Sequence, residues 1–356
     1  MQALQLQRRC AILAVMQILE NVSLANYSTM RLGGLAAYSC EITSRADLLE
    51  ALEWAEERLL PVQMIGGGSN IIWRDEGFQG LLIVNAIKRY EMFDQDEENT
   101  YLTVGGGEPW DSVVERSVQA GLSGIEALSL IPGTSGATPV QNVGAYGQDI
   151  SQTLANLEAY DTESKEFVTL ASYDCGFAYR SSRFKLNDKG RFFITAITLH
   201  LIRGNPLPPY YPAVSAYLGE HQLAASPANI RQAVIAIRST KLPDPNAIGN
   251  TGSFFANPII NHELFLQLQT EYGQVPHWDT ETGVKVSGAW LIEQAGYKDF
   301  HDTVTGMATW GSQPLVLVNE HATSTAGLLN FKQTIVDAVI TKFGICLEQE
   351  PELLPS

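Results

Sequence analysis

The residues best suited to chemistry in this chain lie in loops of glycine and short hydroxyls. Residues 127–148, ALSLIPGTSGATPVQNVGAYGQ, contain no Asp, Glu, Lys or Arg, although charged residues make up 17% of the 356 residues. Gly133, Gly136, Gly144 and Gly147 remove the Cβ that keeps a backbone away from a ligand, while Pro132 and Pro139 stiffen the path and Thr134, Ser135 and Thr138 supply short hydroxyls. A second loop, Gly66, Gly67, Gly68, Ser69 and Asn70, follows a strand-like segment, and a third is Gly105-Gly106-Gly107. A Rossmann fingerprint needs a helix after its glycines, but residues 71–73 read as another strand. What remains is an anion nest, in which successive N–H groups curl round phosphate oxygens. Taken alone, a run of three glycines is more often a tight turn. Three such loops in one half of the chain favour a bound dinucleotide.

The elements that position these loops are those of α/β units. Thr43 or Ser44 caps an expected helix to about residue 58, with Leu48, Leu52, Ala55 and Leu59 on one face. Strands are expected over 62–65, 71–73 and 81–84, then over 101–104, ahead of a helix over 110–120 with Pro109 at its start. The acidic run 94–98 reads as a solvated turn between subdomains. Strands over 156–160, 166–170 and 192–201 follow. The Pro- and Tyr-rich segment 204–218 reads as an inserted loop, 227–238 as a helix and 241–245 as a linker. Beyond these come a loop over 249–258, a helix over 289–295, a buried strand over 315–318 and a helix over 323–343. That last helix carries Leu328, Phe331, Ile335, Val339 and Phe343 on one stripe, and Gly344 ends it.

Composition narrows the partners. With 39 acidic and 23 basic residues the formal charge is −16, which argues against nucleic acid or an anionic membrane and requires a local basic pocket for any anionic ligand. Cys10, Cys40, Cys175 and Cys346 form no CxxC pair and the six histidines form no HxH or HxxxH pair, so no metal site is expected and a reduced, cytoplasmic protein is. Arg8 and Arg9 before a short apolar run imitate a signal peptide, but no small-residue cleavage site follows, and Met16 is an alternative start. No segment approaches the roughly 20 apolar residues of a membrane span.

The motifs YSTMRLG (27–33), IGGGSN (65–70), IPGTSG (131–136), PVQNVGAYG (139–147) and GNTGSFFANP (249–258) occur in an order that resembles the UDP-N-acetylenolpyruvoylglucosamine reductases, over about 21–350. The resemblance implies an α+β fold: an FAD-binding region of the vanillyl-alcohol-oxidase type in two α/β subdomains, with a C-terminal α/β substrate-binding domain. The expected boundaries are an N-terminal extension over 1–20, FAD subdomains over 21–90 and 91–240, and a substrate domain over 241–356. The Tyr loop over 204–218 and the KLPDP segment match the longer of the family's two subtypes. The implied reaction reduces the enolpyruvyl group of UDP-N-acetylglucosamine enolpyruvate with FAD and NADPH, in a monomer without nucleic-acid or membrane partners.

The resemblance also implies site residues. Gly66, Gly67, Gly68, Ser69, Asn70, Pro132, Gly133, Thr134, Gly136 and Gly144 are expected to hold FAD. No protein side chain supplies a hydride, so a nicotinamide must reduce a flavin that delivers it. Charge then builds on the substrate's carboxylate side as an enolate. Arg180, in a YRxSxF pattern, suits that carboxylate because a planar guanidinium grips it in two bonds. Ser253 matches the family's proton donor; without the family, a turn or cap serine is the plainer reading. Glu350 is preferred over Glu352 as the carboxylate, because an insertion within a strand flips side chains to the other face. Tyr146, Tyr211 (or Tyr210), Lys241, Asn257, Lys285 and Gln313 match substrate-contacting positions. Two rival readings stand beside the reductase: an FAD oxidase of the same superfamily, and a non-catalytic nucleotide-sugar sensor.

Overall fold

The computed structural model describes residues 16–355. Arg8, Arg9 and Cys10, together with the rest of 1–15, lie outside the described residues. The first group of elements comprises β1 (Leu19–Ser23), β2 (Leu35–Ile42), α1 (Arg45–Glu56), β3 (Val62–Ile65), β4 (Ile71–Trp73) and β5 (Phe78–Asn85). Its sheet runs β1-β2-β5-β3, with β5 parallel to both β2 and β3. Helix α1 starts where expected: Ser44 Oγ accepts from Asp47 N at 3.1 Å, and the Asp47 carboxylate accepts from Thr43 N and Oγ1 at 2.8 Å. Its buried stripe is Leu48, Ala51 and Ala55. Leu59 leaves the expected face, because the helix ends at Glu56 and Leu59 turns outward at φ +55°.

The second group comprises β6 (Tyr90–Asp94), β7 (Asn99–Gly105), α2 (Trp110–Gln119), β8 (Leu122–Ser123), β9 (Gly144–Ala145), β10 (Gln148–Asp149), β11 (Leu154–Asp161), β12 (Glu166–Ala171), β13 (Phe192–Arg203), α3 (Pro212–Glu220) and α4 (Pro227–Lys241). An antiparallel sheet, β12-β11-β13-β7-β6, forms its body, with Leu102, Val104, Leu157, Ile197 and Leu199 in the core beside Trp110 of α2. The acidic run is no connection between subdomains. It closes the β6–β7 hairpin, where Asp96 Oδ1 accepts from Glu98 N and Asn99 N. The expected inserted loop is half helix: Pro212 begins α3, which packs Val214 and Leu218 against Ile230, Ala233 and Val234 of α4. Lys241, expected in a linker, is the last residue of α4.

The third group holds β14 (Gly249–Ser253), β15 (Ile259–Ile260), α5 (His262–Tyr272), β16 (His277–Thr280), β17 (Gly283–Val286), α6 (Gly288–Gln294), β18 (His301–Asp302), β19 (Met307–Thr309), β20 (Val316–Asn319), α7 (Thr325–Phe343) and β21 (Glu352–Leu354). Residues 249–253, expected as loop, form an edge strand on β20 with a register shift between Asn250 and Ser253. Gly252 at φ +70° lies in the shift and obscures strand patterning. Helix α7 buries the whole expected stripe, and each of those side chains contributes about 1.5–3 kcal/mol of burial.

Several contacts join this group to the first, and two of them fix β21 and the start of α7. Strand β21 pairs in parallel with β4, and the Asp75 carboxylate accepts from Thr325 N at 2.7 Å and Ala326 N at 2.8 Å at the start of α7. Charge at a helix N-terminus makes the second favourable.

Candidate active site

The two principal glycine loops meet face to face. A Cβ on Gly66 would stand 2.1 Å from Thr134 Oγ1, and one on Gly67 would stand 3.0 Å from Gly133 Cα. Gly68 is the most constrained, at φ +67° with a built Cβ 2.2 Å from the Tyr27 carbonyl oxygen. Ser69 Oγ donates to Pro132 O at 3.0 Å, and Asn70 Nδ2 donates to Gln141 Oε1 at 2.5 Å, so side chains also tie the loops together. The third loop contributes less than its composition promised. Gly105 and Gly107 pack on the backbone of 86–89, and only Gly106 reaches the cavity.

Between these loops lies a cavity of about 400 Å³, within the range of ligand sites. All ten expected cofactor positions fall in or beside it: Gly66, Gly67, Gly68, Ser69, Asn70, Pro132, Gly133, Thr134, Gly136 and Gly144 line its wall. Buried polar atoms without a hydrogen-bond partner include Thr134 Oγ1, Thr251 Oγ1 and Arg238 Nε, and all three residues line the cavity. Such atoms are normally satisfied, so their grouping marks a wall made for a polar ligand. With the stacked glycine loops, this fits an elongated dinucleotide.

The cavity's opposite wall carries side chains from distant elements. Arg180 sits at φ +53° in a turn that is pinned to the charge-free loop: Asn142 Nδ2 donates to Ala178 O at 3.3 Å, and Ser182 Oγ donates to Val140 O at 2.5 Å. Asn142 and Tyr146 also have positive φ, at 48° and 50°, so three non-glycine residues in the left-handed region cluster here. Arg180 Nη2 donates to Gly144 O at 2.6 Å, and its Nε lies 3.4 Å from Glu350 Oε1. Glu350 arrives on the segment before β21, where its N–H donates to Phe254 O at 2.9 Å. Ser253, the last residue of β14, is therefore one residue from that contact and lines the same cavity. Among the described residues no hydrogen bond engages its hydroxyl.

Burial pushes the Glu350 carboxyl above the ordinary range, with Arg180 and Lys185 opposing that shift. Glu352 also lines the cavity, but its carboxylate pairs with Lys189 Nζ at 2.5 Å rather than with Arg180.

The six expected substrate positions do not line this cavity. Some still gather at its rim. Tyr146 meets Tyr211 edge-on at 5.4 Å, and its hydroxyl lies against the Arg238 guanidinium. Tyr210 uses its hydroxyl within the loop, donating to Pro206 O at 2.8 Å. Lys285 Nζ stands 4.9 Å from the centre of the Tyr179 ring, with its ammonium pushed down by burial and then by Arg180. Asn257 touches Tyr179 and accepts from Gly288 N at 2.9 Å. Lys241 is exposed at the end of α4, and Gln313 is half-buried in the turn before β20.

Sequence reasoning missed Arg238, Thr251, Lys185 and Lys189. Arg231 and Arg238 lie seven residues apart on one face of α4, around buried Val234, which is a signal of an inward-facing cation in an acidic chain. Nothing in residue type alone distinguished Lys185 or Lys189 from surface lysines. No group of three potential metal ligands occurs among the described residues, and no described helix is long and apolar enough to cross a membrane.

Residues 36–169 match the model described as an FAD binding domain, and residues 244–354 match that of the UDP-N-acetylenolpyruvoylglucosamine reductase C-terminal domain. The UDP-N-acetylenolpyruvoylglucosamine reductase of Ralstonia nicotianae is 37% identical over 93% of this chain and 97% of its own length. The enzyme of that name from Alcanivorax borkumensis is 39% identical over 83% of this chain and 84% of its own. The crystal structure of a UDP-N-acetylenolpyruvylglucosamine reductase from Thermus caldophilus superposes with a TM-score of 0.66 at 22% identity, covering 96% of this chain and all of that one.

Proposed function

The chain belongs to the UDP-N-acetylenolpyruvoylglucosamine reductase family of FAD-containing oxidoreductases acting on a carbon–carbon double bond, and from that premise we propose how its own residues divide the reaction. The substrate on this reading is UDP-N-acetylglucosamine enolpyruvate and the electron donor is NADPH. The observation that carries the assignment is the convergence of Ser253, Glu350 and Arg180, from three separate elements, on one wall of the glycine-loop cavity.

Gly66–Asn70 and Pro132–Gly144 would hold FAD, which when bound would supply the hydride for the double bond. Arg180 offers its guanidinium to the substrate carboxylate and so favours the enolate-like charge that builds there. Its own backbone is held rigidly by the contacts of 178–182, so little reorganisation is needed. Glu350 keeps that guanidinium oriented, and its buried carboxyl shares the same charge balance. Ser253 holds the proton for the carbon that bears the carboxylate. An enolate carbon is a strong base, which narrows the gap to an ordinary hydroxyl donor.

Tyr146, Tyr211, Lys241, Asn257, Lys285 and Gln313 are proposed to take the UDP-sugar. Lys285 and Lys241 bring positive charge for the diphosphate to a chain of net charge −16. A monomeric, cytoplasmic enzyme is the accompanying proposal.

The test is spectroscopic. Anaerobic NADPH should bleach the flavin of the purified protein, and stoichiometric UDP-N-acetylglucosamine enolpyruvate should restore its colour. Bleaching that only oxygen reverses would favour the oxidase reading instead.

A further inference from the structure

Of the cations lining the cavity, Arg238 and Lys185 form no ion pair with a described residue; Lys185 Nζ still donates to the carbonyls of Arg180 and Glu350 at 3.3 and 3.4 Å, and Arg238 stands apart in having no partner at its Nε. Arg180 is balanced by Glu350, Lys189 by Glu352, and Arg231, one face down α4, by Asp111 at 2.6 Å. Arg238 forms no ion pair with any described residue, its Nε has no hydrogen-bond partner, and it lines the cavity beside Thr251 and Ser253. Its side chain is packed among Tyr146 and the end of α4, with Asp111 acting on it only at longer range. Desolvation disfavours its charge accordingly.

A buried guanidinium without a counter-charge is costly, because the protein around it replaces water poorly. That cost is continuous if the balancing group arrives only with each substrate. It is relieved if the balancing group is resident. The resident group in this cavity is the flavin cofactor, and the electron-rich part of an isoalloxazine ring is its pyrimidine edge, an array of acceptors that gains negative charge when the ring is reduced. A planar fork of N–H donors matches such an edge better than a point charge does.

We propose that Arg238 is the residue that balances the flavin's pyrimidine edge and favours its reduced form, with Tyr146 as the positioning residue that holds the guanidinium in place. The inference rests on the flavoenzyme reading above and deepens it. Tyr146 meets Tyr211 of the 204–218 segment on one side and Arg238 on the other, so the substrate-side rim is in direct contact with the residue that tunes the cofactor. The same acceptor chemistry is found in the substrate's diphosphate, and a transient partner there would leave the resting enzyme with its uncompensated charge.

The experiment measures the flavin midpoint potential of the holoenzyme by anaerobic dye equilibration, without NADPH or enolpyruvyl substrate, in wild type, R238Q, R238K and Y146F. Affinity for UDP is titrated in parallel. R238Q should lose at least a tenfold preference for the reduced over the oxidised ring, about 30 mV for a two-electron couple. R238K, which keeps the charge and loses the fork, should fall between R238Q and wild type, and Y146F should shift by less in the same direction. UDP affinity of R238Q and R238K should stay within about twofold. Should R238Q fail to retain flavin, R238K decides. A wild-type potential in R238K overturns the proposal, as does an R238Q enzyme with wild-type potential and weakened UDP binding, which would assign the guanidinium to the substrate diphosphate. Because no turnover is involved, failure here leaves the bleaching assay untouched, and failure of that assay is seen in wild type alone.

Discussion

The floor of the cavity and its facing wall are built on opposite principles. On the floor, the loops at 66–70 and 131–144 approach one another at distances a single Cβ on their glycines would violate. On the wall, Arg180, Ser253, Glu350 and Arg238 reach inward from a strained turn, a strand end, a C-terminal segment and a helix. Shape is thus stored in the floor and chemistry in the wall. Damage to the first should remove the cofactor site altogether, whereas damage to the second should leave a folded, yellow and slow protein.

The sharpest way to break that comparison is Gly68→Ala. A methyl group there meets the Tyr27 carbonyl at 2.2 Å while the backbone stays at φ +67°. Strain and overpacking together should cost about 3 kcal/mol, and flavin absorbance per mole of protein should fall with the melting temperature. A stable Gly68→Ala protein with full flavin would show that the floor yields more than this packing allows.

Asp75→Ala probes how the wall is fastened. It removes both carboxylate bonds to the start of α7, a cap with an expected contribution of about 1–2 kcal/mol. Denaturant unfolding should report that loss, and flavin content should be unchanged, because the floor lies in the other two groups of elements. Equal loss of flavin would make floor and wall one cooperative structure.

Asp161 serves as a control that does not itself line the cavity. Bidentate bonds from Arg191, Nε and Nη2 each at 2.8 Å, hold its carboxyl far below the usual carboxylate range. A depressed folded-state value means the stabilisation is present above the unfolded value near about 3.9 and is lost as the pH falls through the folded one. Asp161→Asn should therefore cost about 1–2 kcal/mol at pH 7 and progressively less below pH ~4, with half-reaction rates unaltered.

Most of the floor was legible from sequence because its signal is local. A charge-free stretch dense in glycine, and a glycine loop followed by a strand, describe themselves without reference to anything distant. Helices α1 and α7 were legible for the same reason, through a cap or apolar spacing, and α2 through the proline at its start. The wall was legible only through family resemblance, since nothing near Ser253 foretells that β14 ends one residue from the segment bringing Glu350. Strand β2 and helix α5 escaped notice because their apolar residues do not keep a clean period, with α5 burying only Phe265 and Leu268. Helix α3 was hidden by the prolines around it, one of which starts it. Arg238 was hidden because a basic residue in a helix's last turn has an ordinary explanation in the helix dipole.

The claim that chemistry resides in the wall is tested most directly by the two half-reactions of Ser253→Ala, followed separately by anaerobic stopped-flow absorbance. Reduction of the flavin by NADPH should proceed within a few-fold of wild type. Reoxidation by UDP-N-acetylglucosamine enolpyruvate should slow by about 10²–10⁴, or more, as befits a lost proton donor. Reoxidation at the wild-type rate would contradict the account and require another residue to hold the proton.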